Sequence, residues 1–82
     1  MKTLAYSATA ARALRRYRAD AAAIRAKIEQ YAADPAPLAA NVKTLKGIDA
    51  KRLRVGDFRV IFRESATTIE VLDLGPRGSI YE

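Results

Sequence analysis

Arginine is concentrated in one short stretch of the chain, where guanidinium groups alternate with apolar side chains. The segment Arg52–Val55 alternates charged and apolar residues, which is the period of a strand with one polar and one buried face. Gly56 and Asp57 follow as a turn pair, and Phe58–Arg63 continues with aromatic and β-branched residues. The sequence therefore predicts a β-hairpin that holds several arginines on one face, an arrangement suited to binding an anion.

The distribution of charge favours the same interpretation. The chain of 82 residues has a formal net charge of +6. The stretch 43–63 contains seven basic and two acidic residues, whereas the rest of the chain contains eight basic and seven acidic ones. The excess positive charge therefore lies on the predicted hairpin and the segment before it. Such a surface suits nucleic acid, an acidic protein or a membrane surface, although a merely soluble basic domain would have the same net charge.

The residue types exclude several classes of enzyme. Cys and His are both absent, so thiol, imidazole and serine-triad mechanisms are excluded, and neither a disulfide framework nor a zinc site is expected. The glycine-containing segment 75–78 follows a predicted strand but opens no helix, which argues against a phosphate-binding loop. We therefore expect no metal and no cofactor. Without an apolar run of about 18 residues or the apolar core of a signal peptide, we expect a cytoplasmic protein.

The remaining elements predict an α+β fold. Thr3–Tyr6 is a strand candidate, Ser7 suits a helix N-cap, and an apolar stripe at spacings of three and four runs through residues 9–33. Because Asp20 could cap a second helix, we expect two helices with a break near residues 18–20.

The second half of the chain completes a sheet. Prolines end the helical stretch, residues 38–44 form a connector that could hold a short helical turn, and residues 69–74 form a strand apolar enough to be central. The order of strand, two helices, then three or four antiparallel strands predicts one domain, 1–82, with a small sheet and two N-terminal helices packed on one face. The opposite face, which carries the arginines, is expected to be partly open.

Three segments resemble the RelE/ParE superfamily of type II toxin–antitoxin toxins, namely residues 45–47, 52–62 and 71–81. The resemblance covers essentially the whole chain, including its length and the helical pair. It implies a microbial RNase-like fold, in which two N-terminal helices pack on one side of a small twisted antiparallel sheet. It further implies a toxin that cleaves mRNA in the ribosomal A site, where the ribose 2′-OH attacks the adjacent phosphate. It also implies a cognate antitoxin that wraps the toxin and masks its basic face.

The resemblance further implies roles for individual residues. Arg59 matches the strand arginine that grips the scissile phosphate, and Arg77 matches the arginine proposed to stabilise the transition state or to protonate the leaving oxygen. Tyr81 matches the C-terminal tyrosine that stacks on or orients the substrate base. These three are the predicted catalytic residues. The predicted RNA-binding residues are Lys46, Lys51, Arg52 and Arg54.

The chain departs from RelE itself at the expected position of the general base. Arg52 and Arg54 stand where RelE has lysines, and a free arginine hardly loses its proton. Lys43, Lys46 and Lys51 are the nearby lysines. In a regular strand, Lys51 points to the opposite face from Arg52.

Alternative interpretations remain open. ParE-like toxins resemble the same fold but poison DNA gyrase by binding, and they usually lack the Arg/Arg/Tyr set. That set favours an endoribonuclease (an mRNA interferase), whereas the missing lysines and the alanine-rich helical stretch keep the gyrase alternative open. A degenerate toxin that only binds antitoxin is a third interpretation. Structural roles are also conceivable: Arg59 could pair with Glu70 or Asp73, Arg77 could hold the C-terminus, and Tyr81 could be a packing residue.

Overall fold

The computed structural model describes residues 1–79 and builds them into five strands and three helical segments. In chain order these are β1 (Thr3–Tyr6), α1 (Ala8–Arg16), α2 (Arg18–Ala33), a 3-10 helix (Ala36–Asn41), β2 (Val42–Thr44), β3 (Lys51–Val55), β4 (Phe58–Glu64) and β5 (Thr68–Pro76). The predicted first strand, helix pair and hairpin are confirmed. The expected connector at 38–44 contains most of the 3-10 helix and the edge strand β2.

The sheet has the strand order β1-β5-β4-β3-β2, with the helices on one face, which confirms the predicted α+β architecture. Strands β2 to β5 pair antiparallel with their sequence neighbours. Strand β1 differs from an all-antiparallel sheet, because it runs parallel to β5. The two lie far apart in sequence, so no hairpin turn imposes an antiparallel direction on this pair.

The start of α1 and the break between the helices follow local rules. Ser7 is the N-cap of α1, and its Oγ accepts a hydrogen bond from the Ala10 amide at 3.0 Å. The same hydroxyl donates to the Leu72 carbonyl at 2.7 Å, which fixes the helix start to β5. The break falls at Tyr17, one residue before the predicted range, and its ring packs edge-on against Phe58 with centroids 5.3 Å apart.

The main core lies between the helices and one face of the sheet. Ile24 and Ile28 of α2 are buried in one core cluster with Val60 and Phe62 of β4. The alternation of the hairpin predicts this inward face for Val60 and Phe62. Tyr31 packs edge-on against Phe62 with centroids 5.2 Å apart. This packing commits one face of the hairpin to the interior, and the alternating residues must face the other side. No helix among residues 1–79 is long and apolar enough to cross a lipid bilayer.

The face opposite the helices is only partly open. A bulge in the β4–β5 pairing lets Phe62 pair with Val71 and Ile61 with Asp73, which leaves Leu72 as the extra residue. Ile61 is 1% exposed although it lies outside the main core cluster. Its burial shows that part of this face is shielded from solvent, although the face also carries exposed charges.

Candidate phosphate-binding face

The hairpin register collects the arginines on the face opposite the helices. Arg54 pairs with Arg59, and Arg52 pairs with Ile61. Directly paired residues share a face, so the three arginines lie together on what we call the arginine face. Arg54 is exposed and Arg52 is half-buried. The structure thus brings together three of the residues that the sequence predicted for contact with RNA.

Arg59 is the buried member of the arginine face. It is 8% exposed, and among residues 1–79 its Nη1 donates to two main-chain carbonyls, that of Phe58 at 3.2 Å and that of Gly56 at 3.5 Å. Its buried Nε has no hydrogen-bond partner in the described part of the chain. A buried cation without a counter-charge is costly, and an anion that reaches it is correspondingly stabilised.

The acidic residues considered as partners of Arg59 are engaged elsewhere. Glu70 forms an exposed ion pair with Arg63 at 3.5 Å. The Asp73 carboxylate accepts a hydrogen bond from the Leu74 amide at 2.8 Å. No ion pair joins Arg59 to either carboxylate among residues 1–79, so the pairing of the alternative interpretation is not present in the described structure.

Arg77 is joined to the same end of the hairpin through its main chain. Its amide donates to the Asp57 carbonyl at 2.7 Å, and its side chain is exposed. Gly56 has a φ of +58°, whereas Asp57, like every other non-glycine residue in the described part of the chain, has a negative φ. This combination is that of the type II′ turns common in hairpins. One turn thus contacts both predicted catalytic arginines, through the Gly56 carbonyl to Arg59 and the Asp57 carbonyl to Arg77.

Lys51 lies on the other side of the sheet, as the strand alternation predicts. It pairs with Phe62 in the register, and its Nζ contacts Glu64 Oε1 at 3.0 Å. Lys2 Nζ contacts Glu64 Oε2 at 2.6 Å, and the Tyr31 hydroxyl donates to Oε1 at 2.9 Å. We call these four residues the Glu64 cluster. Lys51 is therefore separated from the arginine face.

The Glu64 cluster perturbs two ionisable groups. Burial raises the pKa of Glu64, but hydrogen bonds from its three partners, Lys2 first among them, lower it by more, to about 2. Burial, and then the hydrogen bond to Glu64, raise the pKa of Tyr31 to about 12. Both shifts keep the cluster in one state near neutral pH, with Glu64 ionised and Tyr31 protonated. Sequence reasoning missed this cluster, because its members are distant in the chain.

The remaining predicted residues are placed as follows. Lys46 is exposed in the loop between β2 and β3, which the Leu45 amide closes on the Ala50 carbonyl at 3.0 Å. Lys43 of β2 pairs with Arg52 and so joins the arginine face. Tyr81 lies outside the described residues. Within residues 1–79, no group of three or more acidic side chains is arranged to hold a metal ion.

This arrangement suits the chemistry of a phosphodiester. Guanidinium groups match phosphate oxygens and stabilise the charge that develops at a pentacoordinate phosphorus. A buried Arg59 offers a low-dielectric contact, while the exposed Arg54 and Arg77 can reach neighbouring oxygens. Because a guanidinium hardly loses its proton, the arginine face can offer charge and position to a phosphate but is not suited to general base catalysis.

Comparisons with known proteins agree with this fold. Residues 4–81 match the family described as the ParE toxin of the type II toxin–antitoxin system, parDE. A search of curated protein sequences found no match.

Solved structures of toxins share the architecture. YafQ from E. coli BL21(DE3) superposes with a TM-score of 0.82 at 12% identity, over 100% of both chains. An archaeal RelE–RelB complex from Pyrococcus horikoshii OT3 gives 0.74 at 26% identity, over 96% of this chain and 98% of that one. The RelBE2 toxin–antitoxin complex from Mycobacterium tuberculosis gives 0.74 at 23% identity, over 93% and 98%. The chain therefore belongs to the ParE toxin family of type II toxin–antitoxin systems, within the RelE/ParE superfamily.

Proposed function

We propose that this toxin acts as one domain and inhibits translation by cleaving mRNA in the ribosomal A site. The observation that carries the proposal is Arg59, a residue 8% exposed whose guanidinium has no carboxylate partner among residues 1–79. A toxin that worked only through surface contacts would have no use for a buried, uncompensated cation. A phosphate on the arginine face supplies the missing negative charge.

The proposed reaction is an in-line displacement within the RNA. The ribose 2′ oxygen forms a bond to the adjacent phosphorus and loses its proton, the bond from phosphorus to the 5′ oxygen breaks, and that oxygen takes up a proton. Arg59 holds the non-bridging oxygens, and Arg77 stabilises the transition state beside the leaving oxygen. Tyr81 stacks on or orients the base. No cofactor enters this scheme.

We propose a cognate antitoxin as the regulatory partner. The relatives from Pyrococcus horikoshii and Mycobacterium tuberculosis were solved as toxin–antitoxin complexes, and so was the E. coli DinJ–YafQ pair. An antitoxin that covers the arginine face would need acidic side chains there. Its binding should therefore weaken as salt concentration rises.

The test uses programmed ribosomes, purified toxin and primer extension to map the 5′ ends of the mRNA. We expect cuts in the A-site codon from the parent, and a loss of about 100-fold or more in rate from Arg59→Ala and from Arg77→Ala. Arg15→Ala is the matched control, because Arg15 is an exposed arginine on α1. Intact mRNA in the presence of folded parent toxin, or equal cutting by all variants, would contradict the proposal.

A second candidate function is the binding and poisoning of DNA gyrase. It is favoured by the match of residues 4–81 to the ParE toxin family. The same protein preparations decide between the two, in a supercoiling assay with purified gyrase. Inhibition of supercoiling together with intact mRNA would select the gyrase function.

A further inference from the structure

A cleft opens beside the arginine face, at the edge of the sheet. It has a volume of about 250 Å³ and lies where the 3-10 helix meets β2 and β3. Its lining residues are Ala40, Asn41, Val42, Lys43, Arg52 and Arg54. Three of them are cations and none is acidic, so the cleft suits an anion.

The cleft is built by a hydrogen bond to the main chain and by core packing. Asn41 Nδ2 donates to the Arg54 carbonyl at 3.4 Å, which ties the end of the 3-10 helix to β3. Val42 pairs with Leu53 and packs against the main core. Because Val42 faces inward, the next residue in β2, Lys43, must face the cleft side. Its position is thus imposed by packing on the other face.

Lys43 and Arg54 are exposed, and neither has an ion-pair partner among the described residues. Arg54 is the direct neighbour of Arg59 in the register, and Lys43 lies one strand farther out. Lys43 pairs with Arg52, two residues along β3 from Arg54, so two strand separations and this offset place Lys43 roughly 12 Å from Arg59. Side chains in strands stand nearly perpendicular to the sheet, so these two side chains are placed to reach different phosphates.

We propose that this cleft is a second phosphate subsite, in which Lys43 and Arg54 hold the RNA backbone next to the phosphate bound by Arg59. The inference rests on the proposed function and adds the path of the RNA, which crosses the strands from β4 through β3 to β2. Lys43 contributes to binding and does not touch the reacting atoms. Its loss therefore weakens RNA affinity and leaves the chemical step unchanged.

The first test measures binding without cleavage. The probe is a fluorescein-labelled ten-nucleotide single-stranded RNA with a 2′-O-methyl group at every position, which blocks the attacking oxygen. It is titrated against the toxin at several salt concentrations. Each phosphate contact contributes about 0.7 to the slope of log affinity against log salt for single strands. We expect Lys43→Ala to lower that slope by about 0.7 and Lys43→Arg to retain it. The control Lys27→Ala removes an exposed lysine of α2 and should match the parent.

The second test separates binding from chemistry in single-turnover cleavage on programmed ribosomes. We expect Lys43→Glu to raise the toxin concentration for half-maximal rate about ten-fold and to leave the maximal rate within about two-fold. The subsite would be overturned if Lys43→Ala had the same slope of log affinity against log salt as the parent. It would also be overturned if Lys43→Glu lowered only the maximal cleavage rate. Unchanged RNA binding combined with weaker binding of the antitoxin would overturn it too, and would make the cleft a protein-binding surface. A Lys43-dependent slope in a toxin that leaves mRNA intact would support the subsite and contradict the ribonuclease.

Discussion

Glu64 provides the sharpest test of how this fold is held together. Its carboxylate, 12% exposed, joins the N-terminal segment, α2 and β3 to β4 through Lys2, Tyr31 and Lys51. Glu64→Gln keeps the shape of the side chain and removes its charge. The two lysines then lose their counter-charge, and the variant should unfold more easily than the parent.

The magnitude follows from the pKa of Glu64. A fall from 4.5 to about 2, at about 1.4 kcal/mol per pKa unit, corresponds to roughly 3 kcal/mol. Lys2 and Lys51 are 30% and 40% exposed, so solvent screens part of the interaction. We therefore expect Glu64→Gln to lower the free energy of unfolding by about 1–2 kcal/mol at pH 7.

The same reasoning predicts a pH dependence with a defined sign. The pKa of Glu64 is lower in the folded than in the unfolded chain, so its stabilising contribution is complete above about pH 4.5. It is lost as the pH falls from there towards about 2, where the folded carboxylate also takes up a proton. The difference between parent and Glu64→Gln should thus be constant from pH 7 to about 5.5 and shrink below that.

Urea unfolding followed by circular dichroism at pH 7, 5.5, 4 and 3 measures this difference directly. Glu29→Gln is the matched control, because Glu29 is an exposed carboxylate on α2, and its effect should stay within about 0.5 kcal/mol. Equal stability of parent and Glu64→Gln at pH 7, or a difference that does not change down to pH 3, would refute the reasoning.

The site makes two further predictions. Arg59→Met removes a buried, uncompensated charge, so it should raise the free energy of unfolding by about 1 kcal/mol and abolish cleavage. The control Arg15→Met should change neither property. Urea unfolding and primer extension measure the two effects, and a destabilised Arg59→Met would contradict the description of Arg59 as an uncompensated buried charge. Gly56→Ala strains a turn at φ +58° and should cost about 1 kcal/mol of stability. It should also lower the maximal cleavage rate, because both predicted catalytic arginines are hydrogen-bonded to that turn. Gly47→Ala, at φ +81° in the β2–β3 loop, should cost similar stability without the rate effect, and equal rates in the two variants would remove the positioning role of the turn.

Local rules in the sequence were sufficient for the elements that carry the site. The alternation of Arg52–Val55 and the turn at Gly56 predicted the hairpin, and the same period correctly separated Lys51 from Arg52. The hydroxyl of Ser7 marked the start of α1. These predictions succeed because a strand turns successive side chains to opposite faces and a helix leaves unpaired amides at its start, whatever the rest of the chain does.

The state of the site residues was decided only by the tertiary structure. Arg59 becomes buried and uncompensated through contacts with the rest of the sheet, and strand alternation alone gives no sign of its burial. The contact of Arg77 with Asp57 and the ion pair of Lys51 with Glu64 join residues that are 20 and 13 positions apart. The parallel pairing of β1 with β5 likewise depends on the path of the whole chain. The burial and the partners of a charged residue at such positions depend on which distant segments of the chain come into contact. The type and spacing of neighbouring residues do not indicate those long-range contacts.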